Sequence, residues 1–323
     1  MLATRREVLQ GAGALIAGAA GVGAARAEPI RVADDRGVEV AFGAPARRLA
    51  AISYFGADVA LSLGLKPVAS TYMVRGRNPD FLLDHLTDVA PLGQRATPNL
   101  ELLANARPDV IVAMRRYTEG AAAQYGKIAP YLAYNLELYG ESARSVLDLA
   151  TILGDAERGQ ALNERFAREV TEHAGKAPRT SRPRFQVMWG ADTPWTFYSE
   201  ALPAALLTAL GGENVAGPSP DPRIPGNFGL EMSLETMLEK DPEVILVYDY
   251  GPDRPQEANP IWTMLTAVRT GRVHYVGDAW MESHGPVARA LVLREAAHFL
   301  HPDVFPRPDP REVAASIIPA SVK

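Results

Sequence analysis

Leu100-Glu101-Leu102-Leu103-Ala104-Asn105-Ala106-Arg107-Pro108-Asp109-Val110-Ile111-Val112 is matched at a constant offset by Leu234-Glu235-Thr236-Met237-Leu238-Glu239-Lys240-Asp241-Pro242-Glu243-Val244-Ile245-Leu246. Leu, Glu, Pro, Val and Ile coincide, and hydrophobic character agrees at most other positions. Each copy reads as a short amphipathic helix, a proline-marked turn and a buried strand. One copy in each half of the chain points to two similar lobes, each an α/β unit of its own. On both helices the positions 100/103/104 and 234/237/238 face inward, which leaves Glu101 and Glu235 toward solvent.

Working outward, the same grammar recurs. Ile30–Asp34 and Val38–Phe42 flank Asp35-Arg36-Gly37 as a hairpin. Apolar runs at Arg48–Ser53, Lys66–Thr71 and Pro108–Ala113 alternate with helical spacing, such as Gly56 to Leu63 before Gly64. Alternating strands and helices predict a mostly parallel sheet. A second series covers Phe185–Gly190, Leu202–Leu210, Glu243–Asp249, Val273–Val276 and a helix from Val287 to Leu300. Between the two series, Ser142 to Gly175 is helical throughout apart from a break at Gly154-Asp155. Leu162, Phe166, Val170 and Ala174 repeat every four residues, Asp155 is a suitable N-cap and Gly175 a stop. A helix of this length spans about 30 Å, the breadth of a domain. The expected fold class is therefore α/β, two Rossmann-like lobes with mostly parallel sheets joined by one long helix. The expected boundaries are 28–141 for the first lobe, 142–176 for the helical connection, 177–301 for the second lobe and 302–323 for a tail packed on the surface.

The first 27 residues read as an export signal. Thr4-Arg5-Arg6-Glu7-Val8-Leu9-Gln10 resembles a twin-arginine motif, Gly11 to Ala24 is mildly apolar, and Ala25-Arg26-Ala27 is an A-x-A cleavage site. Cleavage after Ala27 predicts a periplasmic protein. Removing Arg5, Arg6, Arg26 and Glu7 leaves 30 basic and 37 acidic residues, a net charge of −7. That balance argues against nucleic acid or an anionic membrane surface as a partner. The chain has no cysteine, which excludes disulfides, thiolate metal sites and a lipid anchor on cysteine. The six histidines do not cluster; the one close pair, His298 and His301, falls at the end of the last helix. No resident metal or cofactor is expected. Ser283-His284 beside Glu282 lacks a G-x-S-x-G elbow, and no nucleotide-binding glycine loop occurs, so an enzyme is not expected.

This organisation is similar to the helix-hinged class of periplasmic binding proteins, the class III fold that serves ABC importers for siderophores, haem, cobalamin and some metals. The sharpest likeness lies in Gly93-Gln94-Arg95-Ala96-Thr97-Pro98-Asn99-Leu100-Glu101-Leu102-Leu103, followed by Pro108, Tyr117 and Ile128-Ala129-Pro130. It resembles the ferric hydroxamate-binding members, as does Trp280 in Val276-Gly277-Asp278-Ala279-Trp280. The resemblance implies that Arg95 and Tyr117 hold a ferric siderophore from the first lobe and that Trp280 closes over it from the second. A second tryptophan of those relatives falls where this chain has Asn227-Phe228-Gly229 and is shorter, so that wall must be built differently, with Phe228 its candidate; Trp195, beside Pro194, is a separate cleft candidate. The resemblance further implies that Glu101 and Glu235 dock into the inner-membrane permease, which works with its cytoplasmic ATPase, and that the binding protein is a monomer. Iron would arrive inside its ligand, with haem or cobalamin as alternative cargo.

The residue chemistry suits this role. A ferric siderophore already satisfies its iron with oxygens, so the protein must supply donors and apolar walls. Arginine offers a planar fork of donors, and tyrosine a hydroxyl on an amphipathic ring. Arg115 and Arg116 follow a strand where open α/β sheets place ligands, and Arg75 and Arg77 sit on a Gly/Pro-containing loop. Of these, Arg116 is the cleft candidate. If more of them face the cleft, an anionic ligand becomes the expectation.

Overall fold

Residues 28–322 are described by the computed structural model; the export segment expected over 1–27 lies outside them. The chain opens with β1 (Ile30–Ala33) and β2 (Glu39–Phe42), an antiparallel hairpin whose turn uses Gly37 at φ 75°. The first lobe continues through β3 (Leu49–Ile52), α1 (Tyr54–Ser62), β4 (Ala69–Tyr72), β5 (Ala90–Gln94), α2 (Leu100–Asn105), β6 (Val110–Met114), α3 (Arg115–Thr118), α4 (Ala122–Tyr125) and β7 (Tyr131–Tyr134). Its five strands form a parallel sheet in the order β5-β4-β3-β6-β7. β3, β6 and β7 are buried along their whole length, so they read as continuous apolar runs rather than alternating ones.

The connection is α5 (Glu141–Ile152) and α6 (Ala156–Lys176). Gly154 takes φ 81° at the break, and the Asp155 side chain accepts the Arg158 N–H as N-cap. α6 has 21 residues and runs one position past the stop expected at Gly175. Gly159 lets it lie close on α5, since a Cβ there would meet the Ala150 Cβ at 2.4 Å.

The second lobe contains β8 (Arg184–Trp189), β9 (Trp195–Phe197), α7 (Leu202–Ala209), β10 (Glu213–Asn214), β11 (Gly229–Glu231), α8 (Leu234–Lys240), β12 (Val244–Tyr248), α9 (Thr266–Arg269) and β13 (Val273–Val276). The sheet order is β11-β9-β8-β12-β13, with β10 also paired to β8. β8, β12 and β13 are parallel, while β9 runs antiparallel to both of its neighbours, β8 and β11. The repeated fragment recurs in three dimensions. Asn99 and Ser233 cap α2 and α8 through their side chains. Arg107 and Asp241, equivalent residues without the freedom of glycine, both take positive φ, 46° and 43°. Val110–Met114 and Val244–Tyr248 are equivalent central strands.

α10 (Pro286–Leu300) and α11 (Pro310–Ala315) complete the chain. α10 is buried on nearly every side, and it packs against α1 of the first lobe, α6, and α7 of the second. One apolar core in consequence includes Phe55 and Val112 from one sheet region, Val187 and Leu246 from the other, and Val292 of α10. In the tail, Ile317 and Ile318 are buried and the Ile317 carbonyl accepts from Arg158 of α6.

Two carboxylates stitch this seam reciprocally. Asp58, inside α1, accepts the N–H groups of Val287 and Ala288 at the start of α10, both at 2.9 Å. Glu282, just before α10, accepts the N–H of Tyr54 at 2.6 Å at the start of α1, and more weakly that of Phe55. Each helix thus has its exposed amides satisfied, and its dipole complemented, by a carboxylate from the other.

Candidate functional site

The loops at the carboxyl ends of the first sheet carry three residues flagged in the sequence. Arg95 follows β5, and Arg116 and Tyr117 lie in α3, which begins where β6 ends. Arg95 is not a solvated loop charge: it is 6% exposed and ion-paired with Glu282, itself 1% exposed. Its other terminal nitrogen donates to the Tyr117 hydroxyl at 3.3 Å, and its guanidinium lies 4.9 Å from the Tyr117 ring centroid. Arg116 covers the same ring at 4.9 Å and donates to Glu137 at 3.1 Å. Burial alone would raise the Tyr117 pKa, but Arg116 and Arg95 outweigh it and hold the phenol below its ordinary value.

The second lobe brings an aromatic wall to meet them. Phe228 lies 4.7 Å from the Arg116 guanidinium. Its ring meets Trp195 edge to face at 4.8 Å, and Trp195 stacks on Trp189 at 5.0 Å. β11 can approach β9 this closely because residue 229 is glycine; a Cβ would meet the Thr196 carbonyl oxygen and the Trp195 ring, each at 2.3 Å. Phe228 and Trp195 therefore form one wall. Trp280 sits differently from the expectation of a lid over the ligand. Its ring is 1% exposed, and its indole N–H donates to Glu295 of α10 at 2.6 Å. Packing behind it by α10 turns it into the floor of the seam. Burial raises the Glu295 carboxyl to about 7 despite that hydrogen bond.

Arg116, Glu137, Trp189, Phe228, Trp280 and His284 surround a void of only about 10 Å³. Small-molecule pockets typically measure roughly 300–1,000 Å³. Arg95 and Tyr117 do not line that void, while Arg116, Tyr117 and Trp195 are half-buried and Tyr250 is exposed at the edge of the seam.

The remaining flagged cations separate clearly. Arg77 crosses between the lobes, donating to Asp278 at 2.6 Å, the Tyr248 hydroxyl at 3.1 Å and the Asp249 carbonyl at 3.2 Å. Arg115 points away from the seam, to Glu119 and the Asp35 carbonyl, and Arg75 is exposed. Glu101 and Glu235 are both exposed on their helices.

Four contributors were not singled out from sequence. Glu282, Glu137 and Asp278 each neutralise one of the arginines. Tyr250 packs edge to face on Tyr248 at 4.5 Å. Its signal was present, because Tyr248 and Tyr250 flank the carboxyl end of a central strand. The carboxylates gave none, since their partners lie far away in sequence.

Residues 49–279 match the model of a family described as periplasmic binding protein. The chain belongs to that family. It is a substrate-binding transport protein and not an enzyme. Among named relatives, it is 24% identical over 267 residues to the probable siderophore-binding lipoprotein YfiY of Bacillus subtilis, covering 76% of this chain and 80% of the relative. It is 24% identical over 223 residues to the Fe(3+) dicitrate-binding periplasmic protein FecB of Escherichia coli, covering 67% and 72%. The fold matches Staphylococcus aureus SirA, solved with staphyloferrin B, at a TM-score of 0.67 and 20% identity, over 84% of this chain and 98% of that one. The two-lobed α/β architecture is that of the class III periplasmic binding proteins. Among the described residues, no helix is long and apolar enough to cross a membrane.

Proposed function

We propose that this protein is the periplasmic solute-binding component of an ABC importer, and that it captures a ferric siderophore of low net charge, a hydroxamate type above others, between its lobes. The observation that carries the ligand class is the pairing of the seam arginines. Arg95, Arg116 and Arg77 each face a carboxylate, Glu282, Glu137 and Asp278 respectively. A seam so balanced offers donors without a surplus of positive charge. Three singly charged hydroxamates cancel the charge of ferric iron, whereas three doubly charged catecholates leave a trianion. A balanced site discriminates against the trianion through the carboxylates it would have to approach. The relatives named for siderophore and ferric citrate binding support the broader reading, and the aromatic wall of Trp195 and Phe228 suits an organic scaffold. Iron is cargo inside the ligand, with no resident cofactor.

Delivery to a membrane permease and its ATPase is part of the same proposal. Glu101 and Glu235 stand at equivalent places on α2 and α8, both exposed, and would present paired negative charges to such a partner. The test is tryptophan fluorescence of the purified protein, titrated with a ferric tris-hydroxamate, ferric dicitrate, a ferric tris-catecholate, haem and cobalamin. Trp189, Trp195 and Trp280 line or adjoin the seam, so ligand entry must alter emission. Saturable one-to-one quenching, tightest for the hydroxamate complex, is expected. Response to haem or cobalamin alone would overturn the ligand, and silence across the panel would overturn the binding role.

A further inference from the structure

Arg95, the most deeply buried of the seam arginines, has a different kind of partner from the other two. Asp278 shares its carboxylate between Arg77 and the Tyr248 hydroxyl, and Arg77 has the Asp249 carbonyl besides. Glu137 also accepts the Gly226 N–H at 2.8 Å, and the Arg116 side chain keeps 19% of its surface exposed. Arg95 keeps 7%, and among the described residues its side-chain partners are Glu282 and Tyr117 alone. Glu282 is fixed from behind. One carboxylate oxygen takes the Tyr54 N–H at the head of α1, and the other faces Arg95. A ligand oxygen that reaches for Arg95 meets a carboxylate already in place.

We propose that Glu282 is the specificity-determining residue of the seam, an internal counter-ion on Arg95 that admits neutral ligands and turns away anionic ones. This rests on the seam being the ligand site. A neutral oxygen acceptor can share the guanidinium, which has five N–H donors, without displacing Glu282. An anionic ligand must either expel Glu282, uncapping α1, or sit beside it and suffer like-charge repulsion at low dielectric. The discrimination therefore comes from one negative charge held by backbone amides, not from the shape of the wall.

Glu282→Gln separates the charge from the cap. Glutamine keeps an oxygen for the Tyr54 N–H, while its amide cannot neutralise Arg95. The affinities to compare are those of a neutral ferric tris-hydroxamate and of ferric dicitrate, measured calorimetrically on wild type and E282Q, with far-UV circular dichroism confirming the fold. Wild type should favour the hydroxamate complex at least tenfold. In E282Q the ratio of the two affinities should move at least tenfold toward ferric dicitrate. Glu119→Gln, which removes a carboxylate paired with Arg115 away from the seam, should move that ratio less than threefold. Equal wild-type affinities would overturn the proposal without any variant, as would an E282Q ratio that stays where it was. Failure of wild type to bind either complex would instead remove the ligand site itself.

Discussion

His284 is a buried imidazole whose protonation in acid opposes folding. It is 2% exposed, and its Nε2 lies 3.1 Å from the Leu138 carbonyl, so this nitrogen carries the proton and donates. Its Nδ1 is buried without a partner among the described residues. Burial, reinforced by Arg116 and Arg289, depresses its pKa from 6.5 to about 3. A base with a depressed folded pKa contributes fully above 6.5 and loses that contribution as the pH falls. The loss is about 1.4 kcal/mol per pH unit, hence about 3 kcal/mol between pH 6.5 and 4.5. Asp58 works in the opposite sense. Burial raises it to about 6 despite the two amides it caps, so over the same range it returns about 2 kcal/mol as the pH falls. In wild type the two nearly cancel. His284→Gln keeps a donor for Leu138 and removes one side of the balance. Urea unfolding of wild type and H284Q, followed by circular dichroism at pH 7.5 and 4.5, should show the variant gaining about 3 kcal/mol on wild type at the lower pH. The shared apolar core makes global unfolding the relevant event. A stability difference that does not change between the two pH values would refute the argument.

Glu295→Gln should relieve a cost that grows with pH. The raised carboxyl imposes a cost that builds between pH 4.5 and about 7 and is fully present above that, so E295Q should exceed wild type by about 3 kcal/mol in urea unfolding at pH 8 and match it near pH 4.5. Gly229→Ala would drive a methyl into the Thr196 carbonyl and Trp195; about 1–3 kcal/mol of lost stability and at least tenfold weaker ligand quenching are expected, and intact binding would dissociate the wall from the ligand. Glu101→Arg combined with Glu235→Arg should leave titrations unchanged and abolish uptake in cells; normal uptake would remove both residues from the docking surface.

The repeated fragment disclosed the architecture because the same local requirements act twice: a capped short helix, a proline turn and a strand buried on both faces. Even the two left-handed turn residues, Arg107 and Asp241, occupy equivalent places. Arg95 and Tyr117 were legible through a motif, Phe228 through a gap in it, and Arg116 and Trp195 through their places after a strand and beside Pro194; the five converge. Local pattern could not disclose that Glu282 and Arg95 meet, because that contact depends on how α10 crosses both lobes. Nor could it foresee that α10 supplies Glu295 and so fixes Trp280 as floor. The antiparallel pair β9 and β11 also escaped the reading, being only three residues each and lacking the length for a periodic signal.

The reciprocal caps bear on the order in which the protein can be made. Near its start, α1 lacks its carboxylate until Glu282 has left the ribosome, and Asp58 waits with it, its natural partners being the amides of Val287 and Ala288. The first lobe therefore carries two uncapped groups at this seam while the second is still being added. The two caps close only once residues 282–288 have emerged, so the contact between the lobes is among the last features the growing chain can form.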